Sequence, residues 1–132
     1  MILVDTSVWV DFFNGHASPE AERLAAAIAN KGSLVTCGVV IAELFQGWRK
    51  PTGHAALEAH FRTLPCLAPR EPDTYFEAAT LYRALRRRGV TVRSTIDCQI
   101  VRLAEEHGAA LLARDRDMAQ ILASGLCRVA AA

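Results

Sequence analysis

The chain has 132 residues, of which 52% are hydrophobic, and a formal net charge of +1. That length and apolar content fit one domain spanning residues 1–132, built on a single packed core. Near-neutrality excludes bulk attraction to nucleic acid, so a polyanionic partner must meet a local basic patch.

The opening, Met1-Ile2-Leu3-Val4-Asp5, is a short apolar run of the kind found in a buried parallel strand. It has no basic leader region and soon meets an acid, which argues against a secretory signal. Apolar residues at 8, 9, 12 and 13 predict a helix from Thr6 to Phe13, closed by Asn14-Gly15. Ser18-Pro19 starts a second helix, with proline at its first position, running through Leu24 and Ile28 to Gly32. Leu34-Val35-Thr36 reads as a second strand, and helices follow at 38–48 and 52–64, separated by Lys50-Pro51. Asp73 is placed as the cap of a long helix to Arg88, ended by Gly89. Ser94 or Thr95 begins the next helix, which ends at Gly108. Ala110 to Ala113 reads as a third strand, Asp117 to Ala123 as a short helix, and Leu126 to Val129 as a last strand.

Short apolar strands alternating with helices predict an α/β fold: a central, mostly parallel sheet of four to five short strands flanked by helices. No apolar run approaches the ~20 residues needed to cross a bilayer. Cys37, Cys66, Cys98 and Cys127 have no close partner in sequence. They read as free thiols, three of them beside apolar residues, and imply a reducing cytoplasm.

Four carboxylates interrupt apolar patterns. Asp5 ends the first strand, Glu43 breaks Val39-Val40-Ile41-Ala42-Glu43-Leu44-Phe45, Asp97 sits where a helical stripe wants an apolar residue, and Asp115 follows Ala109 to Ala113. A carboxylate in such a place is costly unless something positive meets it. In open parallel sheets, sites form beyond the carboxyl ends of the strands, and one topology brings all four acids there. At ~5 Å and an effective dielectric of ~20, each ionised pair repels by roughly 3 kcal/mol. Either some acids take up protons or a divalent cation binds. No histidine is near, so hard cations such as Mg²⁺ or Mn²⁺ are favoured over zinc. Such an ion suits phosphodiester hydrolysis, because it acidifies bound water and polarises the phosphoryl group. Each acid also has an ordinary reading: Asp5 as a helix cap, Asp97 in a capping box with Ser94, Glu43 on a solvent face, and Asp115 and Asp117 as turn residues.

The stretch Ile2-Leu3-Val4-Asp5-Thr6-Ser7-Val8-Trp9-Val10-Asp11-Phe12-Phe13 resembles the opening of PIN-domain proteins, specifically the VapC toxins of bacterial toxin–antitoxin pairs. The resemblance continues through Val40 to Leu44, Arg93 to Cys98 and Leu111 to Asp117, in the family's order. It implies a Mg²⁺-dependent (Mn²⁺ possible) endoribonuclease with an RNA substrate, a VapB-type antitoxin partner and a homodimeric state. Asp5, Glu43, Asp97 and Asp115 match the family's catalytic, metal-holding acids, and Asp117 an additional one. Thr6 or Ser7 matches a hydroxyl position that supports the site on its substrate side. Met118 stands where an aromatic residue is usual, and Gln99 replaces a commoner apolar residue; both are packing changes that remove no carboxylate.

Asp5 and Asp97 are expected as the main metal ligands, with Glu43 and Asp115 acting directly or through waters. Of the cations Arg83, Arg86, Arg87, Arg88 and Arg93, the last is nearest Asp97 and is the choice for a substrate phosphate. Its other reading is an ion pair that orders the site. Trp9, Phe12, Phe13, Phe45 and Trp48 are read as core or dimer packing rather than base-stacking residues. The helices at 38–48 and 52–64 are a candidate apolar groove for an antitoxin helix. Two further readings stay open: a PIN-like nuclease of RNA processing or of DNA, and a non-catalytic binding module of the same fold.

Overall fold

The computed structural model describes all 132 residues. The elements in chain order are β1 (Ile2–Val4), α1 (Thr6–Asn14), α2 (Pro19–Ala29), β2 (Leu34–Cys37), α3 (Gly38–Gln46), α4 (His54–Phe61), β3 (Cys66–Leu67), α5 (Asp73–Arg87), α6 (Thr95–His107), β4 (Ala110–Leu112) and α7 (Arg116–Ala123). The strands form one sheet in the order β3-β2-β1-β4, and every pairing is parallel. This is the α/β architecture expected from the pattern, with four strands. β1 lies centrally, with Leu3 opposite both Val35 of β2 and Leu111 of β4. Leu3, Val4, Val35, Leu111 and Leu112 are buried, as a sheet covered on both faces requires. Trp9, Leu24, Val40, Leu81, Leu85, Ile100 and Ile121 cover it from the helices. No helix is long and apolar enough to cross a membrane.

Helix boundaries follow side-chain caps. Ser18 accepts from the Ala21 N–H at 3.0 Å and Ser94 from the Ile96 N–H at 3.1 Å. These bonds satisfy donors that have no partner within the first helical turn. Gly15 and Gly108 close α1 and α6 in the left-handed region, at φ of 69° and 65°, where a side chain would be strained.

Four details differ from expectation. β3 was not foreseen: two residues carry no periodicity, and they join the sheet only because Thr36 and Cys37 offer an open edge. No strand forms at Leu126 to Val129. There the Arg128 N–H turns to Glu105 Oε2 at 2.6 Å, and Ala131 bridges Leu111 instead. Pro72, not Asp73, holds the cap position of α5, leaving Asp73 in its first turn. α7 begins at Arg116 with Asp115 as its cap, one residue before the expected start at Asp117. All four cysteines are free: Cys37 and Cys98 are buried, Cys127 is half-buried and Cys66 is exposed.

Candidate acidic metal centre

The chain runs outward from β1 through β2 to β3, then returns to place β4 on the other side of β1. The strand order therefore reverses between β1 and β4, the place where open parallel sheets leave a crevice beyond their carboxyl ends. Asp5 follows β1 there and Asp115 follows β4. The Asp5 N–H donates to the Leu112 carbonyl at 2.9 Å, which carries the strand pairing up to the acid itself.

Asp5 is buried and accepts at one carboxylate oxygen from the Ser7 N–H at 3.2 Å and the Ser7 hydroxyl at 2.6 Å. Burial pushes its carboxyl up, the Ser7 bonds pull it back, and the Asp115 charge raises it further. Asp115 accepts from the N–H groups of Asp117 and Met118 at 3.2 and 3.4 Å, capping α7. The ordinary reading of Asp5 as a cap therefore holds, and Asp115, expected as a turn residue, is a cap as well. Glu43, one face of α3, takes the Thr6 hydroxyl at 3.0 Å. The hydroxyls of Thr6 and Ser7 are thus occupied in orienting acids.

Asp97 differs. It stands in the first turn of α6, half-buried, where Ser94 already supplies the cap. Its carboxyl is pushed up to about 7, first by burial and then by the charges of Asp115, Asp5, Asp117 and Glu43. Four of the five acids singled out in the sequence thus act electrostatically on the fifth. Oxygens of Asp97, Asp115 and Asp117 lie within 4.8 Å of one another. The tightest group therefore includes Asp117 and leaves Asp5 at its margin.

Arg93 donates through Nε to Asp117 at 3.1 Å and through Nη2 to Asp115 at 2.7 Å; its backbone N–H reaches the same Asp117 oxygen at 3.0 Å. These bonds hold the Asp117 carboxyl below its usual range. Of the two readings of Arg93, the geometry presents the ion pair.

One charged pair escaped the sequence reading. Arg114 grips the buried Asp11 with Nε and with Nη2, the latter at 3.1 Å, while its backbone N–H meets the Ser7 hydroxyl at 3.2 Å. The criterion that flagged Asp5, an acid inside an apolar run, applies equally to Asp11 in Trp9-Val10-Asp11-Phe12-Phe13. The pair ties α1 to the loop carrying Asp115.

The sequence matches the PIN domain family model over residues 2–122. It is 36% identical over 118 residues to Ribonuclease VapC11 of Mycobacterium tuberculosis H37Rv, covering 89% of this chain and 88% of that protein. The fold is similar to the structure of VapBC-1 from nontypeable Haemophilus influenzae, with a TM-score of 0.69, 21% identity and 94% of each chain covered. It is also similar to FitAcB from Neisseria gonorrhoeae, with a TM-score of 0.68, 16% identity, and 99% of this chain and 96% of that one covered.

Proposed function

The chain belongs to the PIN domain family and to the VapC ribonucleases within it, and on that premise we propose that it is a divalent-metal-dependent endoribonuclease, the toxin of a toxin–antitoxin pair. The observation that carries this reading is the convergence of Asp5, Glu43, Asp115 and Asp117 on Asp97. The donor set fits Mg²⁺ or Mn²⁺, being all carboxylate oxygen, with three side chains close enough to share an ion. Asp97, Asp115 and Asp117 would hold it, with Asp5 and Glu43 at its edge. When bound, such a cation acidifies water and offsets charge on the phosphoryl oxygens.

The protein's own groups supply the rest. Ser7 and Thr6 fix the rotamers of Asp5 and Glu43 by hydrogen bonds. Arg93 holds Asp117 and Asp115 in place. Asp97 exchanges its proton near neutral pH, so it is the acid whose charge state responds to the arrival of a cation. The partner proposed for this toxin is a VapB-type antitoxin, and the proposed assembly is a homodimer.

The test is cleavage of single-stranded RNA and of DNA of the same sequence, with Mg²⁺ or Mn²⁺ and with a chelator. Cleavage of RNA alone, abolished by the chelator and by Asp97→Asn, is the expected result. Metal-independent cleavage overturns the assignment. In cells, expression should halt growth, and Asp5→Asn should relieve it.

A further inference from the structure

An acidic centre repels the polyanion it has to cut, so the cations that receive the strand must lie beside it. Two obvious ones are already engaged: Arg93 is bound to Asp115 and Asp117, and Arg114 is bound to Asp11. Two cavities flank the centre, and each borrows one of its acids. The first, of about 230 Å³, contains Glu43 together with Phe13, Trp48, Arg49 and Lys50. The second, of about 590 Å³, contains Asp117 together with Thr91, Arg93, Arg116 and Gln120. Asp117 lies within 4.8 Å of Asp97, and Glu43 is bound to Thr6, the residue after Asp5, so each cavity borders the acidic crevice.

Their linings differ in kind. In the first, the Lys50 ammonium stands 5.3 Å from the Trp48 ring centroid, and Phe13 meets Trp48 edge to face at 5.7 Å. Lys50 also donates to the Phe13 carbonyl at 3.0 Å, which draws α1 and the segment after α3 together around the groove. Arg49 is exposed and engaged by no acid. The second has a single apolar residue in its wall. Arg116 is exposed at its rim, while Gln120 and Thr91 offer amide and hydroxyl groups.

We propose that a single RNA strand spans the two cavities with its scissile phosphate at Asp97. The Phe13–Trp48–Arg49–Lys50 groove takes one flanking nucleotide, and the Thr91–Arg116–Gln120 cavity takes the other. This rests on the ribonuclease reading above. The first groove combines an aromatic wall with phosphate-binding cations, the combination that receives unpaired bases with little regard to sequence. The second offers polar groups suited to sugar and phosphate. Stacking is thereby confined to one side of the cut.

The test uses the whole protein and a random-sequence pool of labelled single-stranded oligoribonucleotides about 12 nucleotides long. Binding is read by anisotropy in chelator, and cleavage is then read with Mn²⁺. Replacing Arg49 and Lys50 together by alanine should weaken binding about ten-fold and flatten the logarithmic salt dependence by roughly 1.4. The same change should raise KM more than it lowers kcat. Arg116→Ala should weaken binding about three-fold and flatten the salt dependence by roughly 0.7. Trp48→Leu should weaken binding about five-fold with the salt dependence unaltered; should it misfold, the exposed arginine and lysine changes still decide. A wild-type chain that cleaves RNA while both cation variants keep its affinity, KM and salt dependence would overturn the track and leave the ribonuclease standing. In that case the grooves belong to a protein partner or to none. A wild-type chain that neither binds nor cleaves RNA would overturn both.

Discussion

The first turns of α6 and α7 each present an aspartate to the same crevice, yet the two behave oppositely. Asp97 is driven up to about 7, while Asp117 is held below its usual range. Helix position does not separate them, since both stand at the positive end of a helix. Burial raises both carboxyls, and at Asp97 it is the leading cause, whereas at Asp117 it is outweighed. What outweighs it there is Arg93, which gives Asp117 a guanidinium and a backbone N–H but makes no hydrogen bond to Asp97. One helix end is neutralised in advance and the other is left in deficit, the deficit that the proposed cation would meet.

The strongest way to break this contrast is Asp97→Asn. It should lower Mg²⁺-dependent RNA cleavage by about a thousand-fold, roughly 4 kcal/mol of lost transition-state stabilisation. Calorimetry with Mn²⁺ should show the matching loss of uptake, and wild-type rates in the variant would dissolve the comparison.

Asp11 supplies a third case, an acid matched by Arg114 as Asp117 is by Arg93. Arg114→Ala strands a buried carboxylate that is only 8% exposed. With Arg114 itself half in solvent, the expected cost is about 1–2 kcal/mol by denaturant unfolding. A double-mutant cycle with Asp11→Asn should recover part of it.

The pH dependence sharpens the contrast further. The Asp97 carboxyl lies above its unfolded value of 3.8 in the folded chain, so the fold binds the extra proton. Its contribution is fully present below pH ~4 and is lost as pH rises towards about 7. Discounted for a half-buried group, this is about 1–2 kcal/mol. Metal-free protein should lose that stability between pH 4 and 7, whereas Asp97→Asn should give a flatter profile over the same window. Saturating Mn²⁺ should flatten the wild-type profile too. Equal slopes in both proteins would show that Asp97 carries no such strain.

The smallest effect is expected from Arg93→Ala, which makes the end of α7 resemble that of α6. The metal-free Tm should fall by about 1–2 °C, and Mn²⁺ should restore it. A Tm left lower in Mn²⁺ would show that Arg93 does more than stand in for an ion.

Much of this was legible before the fold. The alternation of apolar runs and caps gave β1, β2, β4 and the helices, and carboxylates in apolar positions pointed to the crevice. What stayed hidden depended on non-local partners. β3 is two residues recruited by an open edge. The chain end meets β4 at Ala131 rather than at 126–129, because the Arg128 N–H goes to a side chain. The occupation of Arg93 by Asp115 and Asp117 depends on the distance between two loops, which spacing along the chain does not encode. Asp11 was the one avoidable omission.

The central place of β1 has a consequence for synthesis. Ile2 to Val4 find their second neighbour only when Ala110 to Leu112 exist, and Asp115 comes later still in the chain. A chain still emerging from the ribosome therefore lacks both a closed sheet and a complete set of acids. Closing the sheet and completing the acidic crevice are therefore one event, the arrival of β4 beside β1.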